Sequence, residues 1–308
     1  MIENAISPDC SCSIYSRTSM LYFLQLLVNK LKAAHAIVDG KTVLNTFNDY
    51  LQLTVASGNK LKVTRVYQTL TYFTTAALAC CDSSTKILLD HMILAISHPD
   101  LGQKIAQSFR ILLAPSTIIT KENFCYVRPL RQGRLFQHGV KEMISAYRTA
   151  SKEETQNYLK ARYLVAIAGC LHYMEPKVYL DAIKDLFPLI LEGTTVSDDA
   201  FTKLTCISII KTLIPNDPAL IEQYLESVIN RMADRIRNTY HSPSDSNAST
   251  RAAALEVLTL LVNHVEKTVL VKKKPYIMKE LEWAVDDVSA EVRAVAYRCR
   301  LAYVNLQA

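Results

Sequence analysis

Residues that interrupt helices are scarce in this chain: 308 residues include only seven glycines, ten prolines and a single tryptophan. So little glycine suits long helices joined with few tight turns. Long uncharged apolar runs are missing too, and none reaches the roughly 18 residues needed to span a bilayer. Val66–Cys81 comes nearest, but it contains Gln68 and several threonines and lies between Arg65 and Asp82. The N-terminus lacks the charged-then-apolar order of a secretory signal, so the chain reads as soluble and intracellular. In that setting the Asn247-Ala248-Ser249 sequon is loop composition.

Catalytic signatures are equally thin. No H-E-x-x-H or G-x-S-x-G pattern occurs, and no nucleophile comes with an identifiable base. Gly40-Lys41-Thr42 resembles the end of a phosphate loop, but His35 stands where that loop needs its first glycine. His91 and His98 share a helical face with no acidic residue between them. The clustered thiols, Cys10 with Cys12 and Cys80 with Cys81, lack the separated pairs of a metal site. The expectation is therefore no enzyme, no catalytic residue, no metal and no cofactor. The net charge of +6, from 35 basic and 29 acidic residues, favours an ordinary solvated surface over nucleic-acid binding.

What the chain does have is a repeat. The patterns predict helices over Tyr158–Met174, Ala200–Ile214, Ser249–His264 and Ala290–Val304, each with a basic residue in its first turn: Lys160, Lys203, Arg251 and Arg293. These anchors lie 43, 48 and 42 residues apart. Such spacing is typical of HEAT/armadillo helical pairs. Four residues beyond the anchors come Leu164, Ile207, Leu255 and Tyr297, and eleven beyond come Leu171, Ile214, Val262 and Val304. A stripe of this kind marks a helix buried along one side. Cys170, Cys206 and Cys299 fall on the same face and read as small core residues.

Each of these helices follows a shorter one: Val140–Thr149, Val178–Leu191, Pro218–Arg237 and Pro275–Val285. Proline opens several of them, where its missing donor costs nothing, whereas Pro188 lies inside the second and predicts a kink. The first half is helical with a less regular phase, in candidates Ile14–Val38, Thr42–Val55, Lys60–Cys80, Ser84–Ile96 and Leu101–Leu113. The fold expected is all-α, a HEAT/armadillo-type superhelix of about six to seven pairs. Residues 1–13 form a flexible segment, 14–150 carry less regular pairs with an irregular stretch at 114–133, and 151–308 carry regular repeats ending in a cap. Tyr240–Thr250 is the longest loop of the second half and the expected mobile one.

The last repeat departs from the stripe. Seven residues past the anchor the others place Ile167, Ile210 and Leu258, but the fourth places Arg300, after Tyr297 where the others have aliphatics. Two readings stand: a solvated terminal cap, or a docking face built on Arg293, Tyr297 and Arg300. Trp283 is expected to pack against the final helix, close to that face, and Lys272, Lys273 and Lys274 precede Pro275 at the start of the last pair. A second basic cluster, Arg128, Arg131 and Arg134, recurs every three residues near Tyr126 and Phe136. A solvated edge is the reading favoured for both basic clusters, with an acidic or phosphate partner as the alternative.

Several segments over residues 75–308 resemble one known family. Ser97-His98-Pro99-Asp100-Leu101-Gly102 resembles an inter-helix turn of its late repeats, and Val127-Arg128, Arg131 and Arg134-Leu135-Phe136 resemble its basic-aromatic segment. Asn157-Tyr158-Leu159-Lys160 and the closing Asp286-Asp287, Val292-Arg293, Ala296, Arg300, Tyr303 are similar in order and spacing. The family is the methyl-methanesulfonate-sensitivity/methionine-requirement HEAT protein, the targeting subunit of cytosolic iron–sulfur protein assembly. Pro129 and Gly133 depart from a regular helix in the basic-aromatic segment.

The resemblance implies a non-catalytic adaptor of the cytoplasm and nucleus. Its partners would be the cluster-transfer subunit, the seven-bladed propeller subunit, and apo iron–sulfur clients such as repair helicases and DNA polymerases. No membrane or direct nucleic-acid contact is implied. The alternatives left open are a HEAT-like nucleic-acid-binding or base-processing protein and a transport or phosphatase scaffold.

Overall fold

Capping residues set the helix starts where the sequence breaks its apolar stripes. In the computed structural model, which describes residues 14–33, 45–49, 52, 60–150, 154–196, 199–237 and 247–307, every regular element is a helix. The Asp199 carboxylate accepts from the Thr202 amide at 3.2 Å, Asp217 from Leu220 at 3.1 Å ahead of Pro218, and Asn247 from Ser249 at 3.0 Å. Each satisfies an amide that the helix itself leaves without a partner. Segment 1–13 with Cys10 and Cys12, the Gly40-Lys41-Thr42 sequence and most of the stretch expected as a loop from Tyr240 lie outside the described residues.

The chain divides into two units, Met1–Asp181 and Ala182–Ala308. The first contains α1 (Ile14–Ala33), α2 (Lys60–Ala79), α3 (Thr85–Ala95) and α4 (Gly102–Ser108), the last extended by a 3₁₀ turn, Phe109–Ile111. Residues 112–130 are non-helical, and α5 (Arg131–Leu135) then runs through a π turn, Phe136–Val140, into α6 (Lys141–Thr149). α7 (Glu154–Leu171) and the short α8 (Pro176–Tyr179) complete the unit. α1 packs on α2, and α7 packs on both α4 and α6.

α2 carries the segment that most resembled a membrane span. Thr71, Thr74 and Thr75 are buried there, and their hydroxyls donate to the carbonyls of Tyr67, Leu70 and Thr71 at 2.9, 2.8 and 2.9 Å. Back-bonding satisfies each hydroxyl locally, so a threonine-rich helix can lie in an apolar core. Among the described residues no helix is long and apolar enough to cross a membrane.

The second unit contains α9 (Ile183–Gly193), α10 (Ala200–Asn216), α11 (Pro218–Gln223), α12 (Leu225–Arg237), α13 (Ala248–His264), α14 (Lys267–Val285) and α15 (Ala290–Val304). The helices form two layers: α10, α13 and α15 pack in succession, as do α9, α12 and α14. Each pair is thus covered by the next, the arrangement expected of a helical-pair repeat. The predicted stripes form most of the core: Ile207, Ile210, Ile214, Leu255 and Leu258 are buried, whereas Val262 is half-buried and its neighbour Leu261 takes the buried place. Cys206 and Cys299 sit among them, as Cys170 sits in the first unit.

Polar links join successive helices within each layer. Arg237 of α12 donates to the buried carboxylate of Glu280 in α14, with Nε at 2.8 Å. In the other layer the Tyr303 hydroxyl of α15 donates to the Leu258 carbonyl of α13 at 2.9 Å.

Several boundaries differ from the sequence expectation, and the helix predicted over Pro218–Arg237 is interrupted at Tyr224. The helix predicted from Pro275 begins at Lys267, leaving Pro275 inside it. Leu270, Ile277, Leu281 and Ala284 form one buried stripe that continues through the proline, and Pro275 itself faces solvent. There the missing amide and the ring disturb only the outer side. The helix predicted over Val178–Leu191 is broken by a 3₁₀ turn at Leu180–Ala182.

Candidate docking face on α14 and α15

The four repeat helices place chemically different residues at equivalent positions. Ile167, Ile210 and Leu258 are buried, whereas Arg300 at the same register is exposed. Leu164, Ile207 and Leu255 are buried, whereas Tyr297 is 59% exposed. Leu301 and Val304 lie on the same helical face as Tyr297 and are open as well. The outer face of α15 is thus a row of apolar and aromatic side chains flanked by Arg300 and Arg298, both exposed.

Arg293, assigned by sequence to that face, is engaged at its edge. Its Nη1 donates to the carbonyls of Asp287 and Val288 at 2.6 and 3.1 Å and pins the turn between α14 and α15. Asp287 in that turn accepts two bonds from Arg251 of α13, Nε to Oδ2 at 2.7 Å and Nη2 to Oδ1 at 2.8 Å. The Ser289 amide adds a third at 2.8 Å. Burial pushes the Asp287 carboxyl up, but the bonds from Arg251 and Ser289 outweigh it and hold it below its ordinary value.

The three lysines are interior residues of α14 with separate surroundings. Lys273 pairs with Glu226 of α12 at 2.8 Å. Lys274 donates to the Val304 and Leu306 carbonyls, each at 3.1 Å, and so caps the C-terminal end of α15. Lys272 is exposed. Trp283 departs from the packed position expected of it and is 50% exposed, because it falls outside the stripe of Ile277, Leu281 and Ala284. The geometry brings together Tyr297, Arg300 and Val304, with Lys274 below them and Arg293 at the opposite end.

The second basic cluster divides similarly. Arg134 donates to the Cys81 and Asp82 carbonyls, closing the turn after α2, and Arg128 is exposed while its amide donates to Ala79 at 2.9 Å. Arg131 is half-buried at the start of α5. Gly133, read as a departure from helix, lies within α5.

Beside this cluster is a feature that sequence reasoning did not single out. Phe124 is 82% exposed and has a positive φ of 53°, with Lys30 of α1 over its ring at 5.6 Å. Asn29, fully buried, clasps the same loop, donating to the Tyr126 carbonyl at 2.9 Å and accepting from the Tyr126 amide at 2.8 Å. Partners nearly a hundred positions apart leave no local pattern; an aromatic residue within a charged loop was the one available signal.

With this geometry in hand, comparison with known proteins gives a consistent answer. Residues 3–262 match the family described as MMS19_C, RNAPII transcription regulator C-terminal. The chain belongs to this family. A Dictyostelium discoideum protein named MMS19 nucleotide excision repair protein homolog is 24% identical over 271 residues, 85% of this chain and 24% of that protein. The Homo sapiens protein of the same name is 25% identical over 206 residues, covering 67% of this chain and 19% of its own length. The Arabidopsis thaliana protein of that name is 25% identical over 215 residues, with 68% and 18% covered.

This chain therefore spans about a quarter or less of the relatives it matches. The family match starts at residue 3, so it takes in residues 3–74, which the sequence resemblance did not reach. It stops before α14, whose lysines and tryptophan, with α15, lie beyond it.

Proposed function

We propose that this chain is an adaptor of the MMS19 family, with a docking role and no turnover, working in the cytoplasm and nucleus in DNA repair. On this reading it holds the cluster-transfer subunit and the propeller subunit of cytosolic iron–sulfur assembly, and it helps deliver clusters to apoprotein clients of repair and replication. The family membership supports the repair role. The observation that carries the docking role is the outer face of α15, where Tyr297 and Arg300 are open at registers that the other repeats bury, with Leu301 and Val304 open beside them. A contiguous apolar row bordered by arginine has the composition of an interface anchor.

Arg293 belongs to the turn, so the test avoids it. Tyr297→Glu with Arg300→Glu should abolish co-purification with the cluster-transfer subunit from a mixture containing all assembly subunits, with helicity by circular dichroism unchanged. Full retention of that subunit by the double variant rejects the face. Loss of co-purification accompanied by salt-sensitive binding of single-stranded DNA would favour a nucleic-acid role instead.

A further inference from the structure

A cavity of about 490 Å³ in the first unit lies against α1, α2 and the end of α4, bordered by Arg17, Arg65, Gln68, Thr71, Tyr72 and Ser108. Among the described residues that line it there is no aspartate or glutamate. Nε and Nη2 of Arg17 are closed off from solvent and have no hydrogen-bond partner. Burial, and then the neighbouring Arg65, pull the Arg17 guanidinium below its ordinary pKa. A desolvated cation beside a second cation is costly unless an anion compensates it.

We infer that this cavity is an anion site whose occupant is a phosphate monoester, carried on a phosphorylated serine or threonine of a peptide. The walls supply donors from several directions. The Gln68 amide stands near the Thr71 and Ser108 hydroxyls, which lie 3.3 Å apart and donate to the Tyr67 and Ile105 carbonyls, protons that rotation can turn to a bound anion. Three phosphate oxygens can use such a spread, whereas a planar carboxylate is served by one guanidinium. An adjoining cavity of about 290 Å³ shares Gln68, Thr71 and Ser108 and adds Lys104 beside Leu101 and Ile105. It offers an apolar seat for a neighbouring side chain, as expected of peptide recognition by arginine clusters. A nucleic-acid backbone would instead call for a row of cations along an open groove. The site is far in sequence from the α15 face and does not depend on the adaptor reading.

The test uses the 308-residue chain, with thermal denaturation in inorganic phosphate against sodium chloride of equal ionic strength. Phosphate should raise the melting temperature by roughly 2–5 °C. Arg17→Met should hold or raise the melting temperature in chloride and abolish the phosphate increment, and Ser108→Ala should reduce it. Arg298→Met, an exposed arginine on α15, should leave the increment unchanged. By calorimetry an alanine-based peptide with one phosphothreonine should bind at least about tenfold more tightly than its unphosphorylated form, in keeping with two or three charge-assisted bonds. An increment that survives in both Arg17→Met and Ser108→Ala overturns the site. Tighter binding of a single-stranded RNA oligonucleotide than of the phosphopeptide overturns the proposed occupant.

Discussion

Arg251 and Asp287 face each other across successive repeats in a two-point ion pair, both side chains 4% exposed. The pair joins α13 to the turn that starts α15, and that turn is held in addition by Arg293. Removing one partner would leave the other charge buried and uncompensated, at a cost of about 3–5 kcal/mol. Asp287→Ala should lower stability by that amount in urea denaturation, and a loss below about 1 kcal/mol would show the pair to be dispensable.

The same pair sets a pH dependence. The Asp287 pKa is lower in the folded than in the unfolded chain, where it is about 3.9. Its contribution is therefore complete above the unfolded value and fades as pH falls through the folded one. The stability difference between the native chain and Asp287→Asn should be constant from pH 7 to about 5 and shrink progressively below pH 4. Urea midpoints across that range give the answer.

Two glycines should respond to alanine with opposite signs. A Cβ at Gly102 would stand 2.0 Å from the Ile96 carbonyl oxygen and 2.4 Å from Arg162 Nη1. Arg162 is fixed there by the carbonyls of Ile96, His98 and Pro99, so the contact cannot relax cheaply. Gly102→Ala should cost at least about 1–3 kcal/mol. Nothing lies within 4 Å of a Cβ at Gly133, so Gly133→Ala within α5 should stabilise by up to about 1 kcal/mol. Thermal melts of the two variants are the measurement.

The Asn29 clasp makes a local prediction. Asn29→Leu should leave the Tyr126 amide and carbonyl without their partner, costing about 2–4 kcal/mol for the two groups. Hydrogen exchange should accelerate over residues 116–130 more than over α7. Equal acceleration in both would make Asn29 a global core residue instead of a loop clasp.

Thiol labelling should sort the cysteines by burial. Burial pushes the Cys299 thiol up to about 11 and the Cys206 thiol up to about 12. Neither, nor buried Cys170, should react with iodoacetamide at pH 8 in the native chain, and all three should react in denaturant. Labelling of Cys206 under native conditions would contradict the placement of α10.

Period and stripe made the second unit legible before any coordinate: the same residues that predicted Ile207, Leu255 and Leu258 as core are buried. The exposed register of Tyr297 and Arg300 was legible too, because a helix face without a covering neighbour changes composition. Local rules failed where a distant partner decides. Pro275 read as a helix start because proline is welcome there, but a buried stripe through Leu270 and Ile277 carries the helix past it. The basic residues read as surface anchors, yet Arg134, Arg293 and Lys274 are committed to carbonyls, a geometry without sequence signal. The Arg17 cavity depends on α1, α2 and α4 meeting, and no spacing announces that.

The Tyr303 hydroxyl on the Leu258 carbonyl has a mechanical corollary. A pull or a ligand applied to the final helix reaches α13 directly through a rigid ring buried between them, and reaches α14 through Lys274, before it reaches any earlier helix. Disturbance at that end should travel inward link by link, weakening at each helix, so the repeats nearest the terminus should report an occupied docking face most strongly.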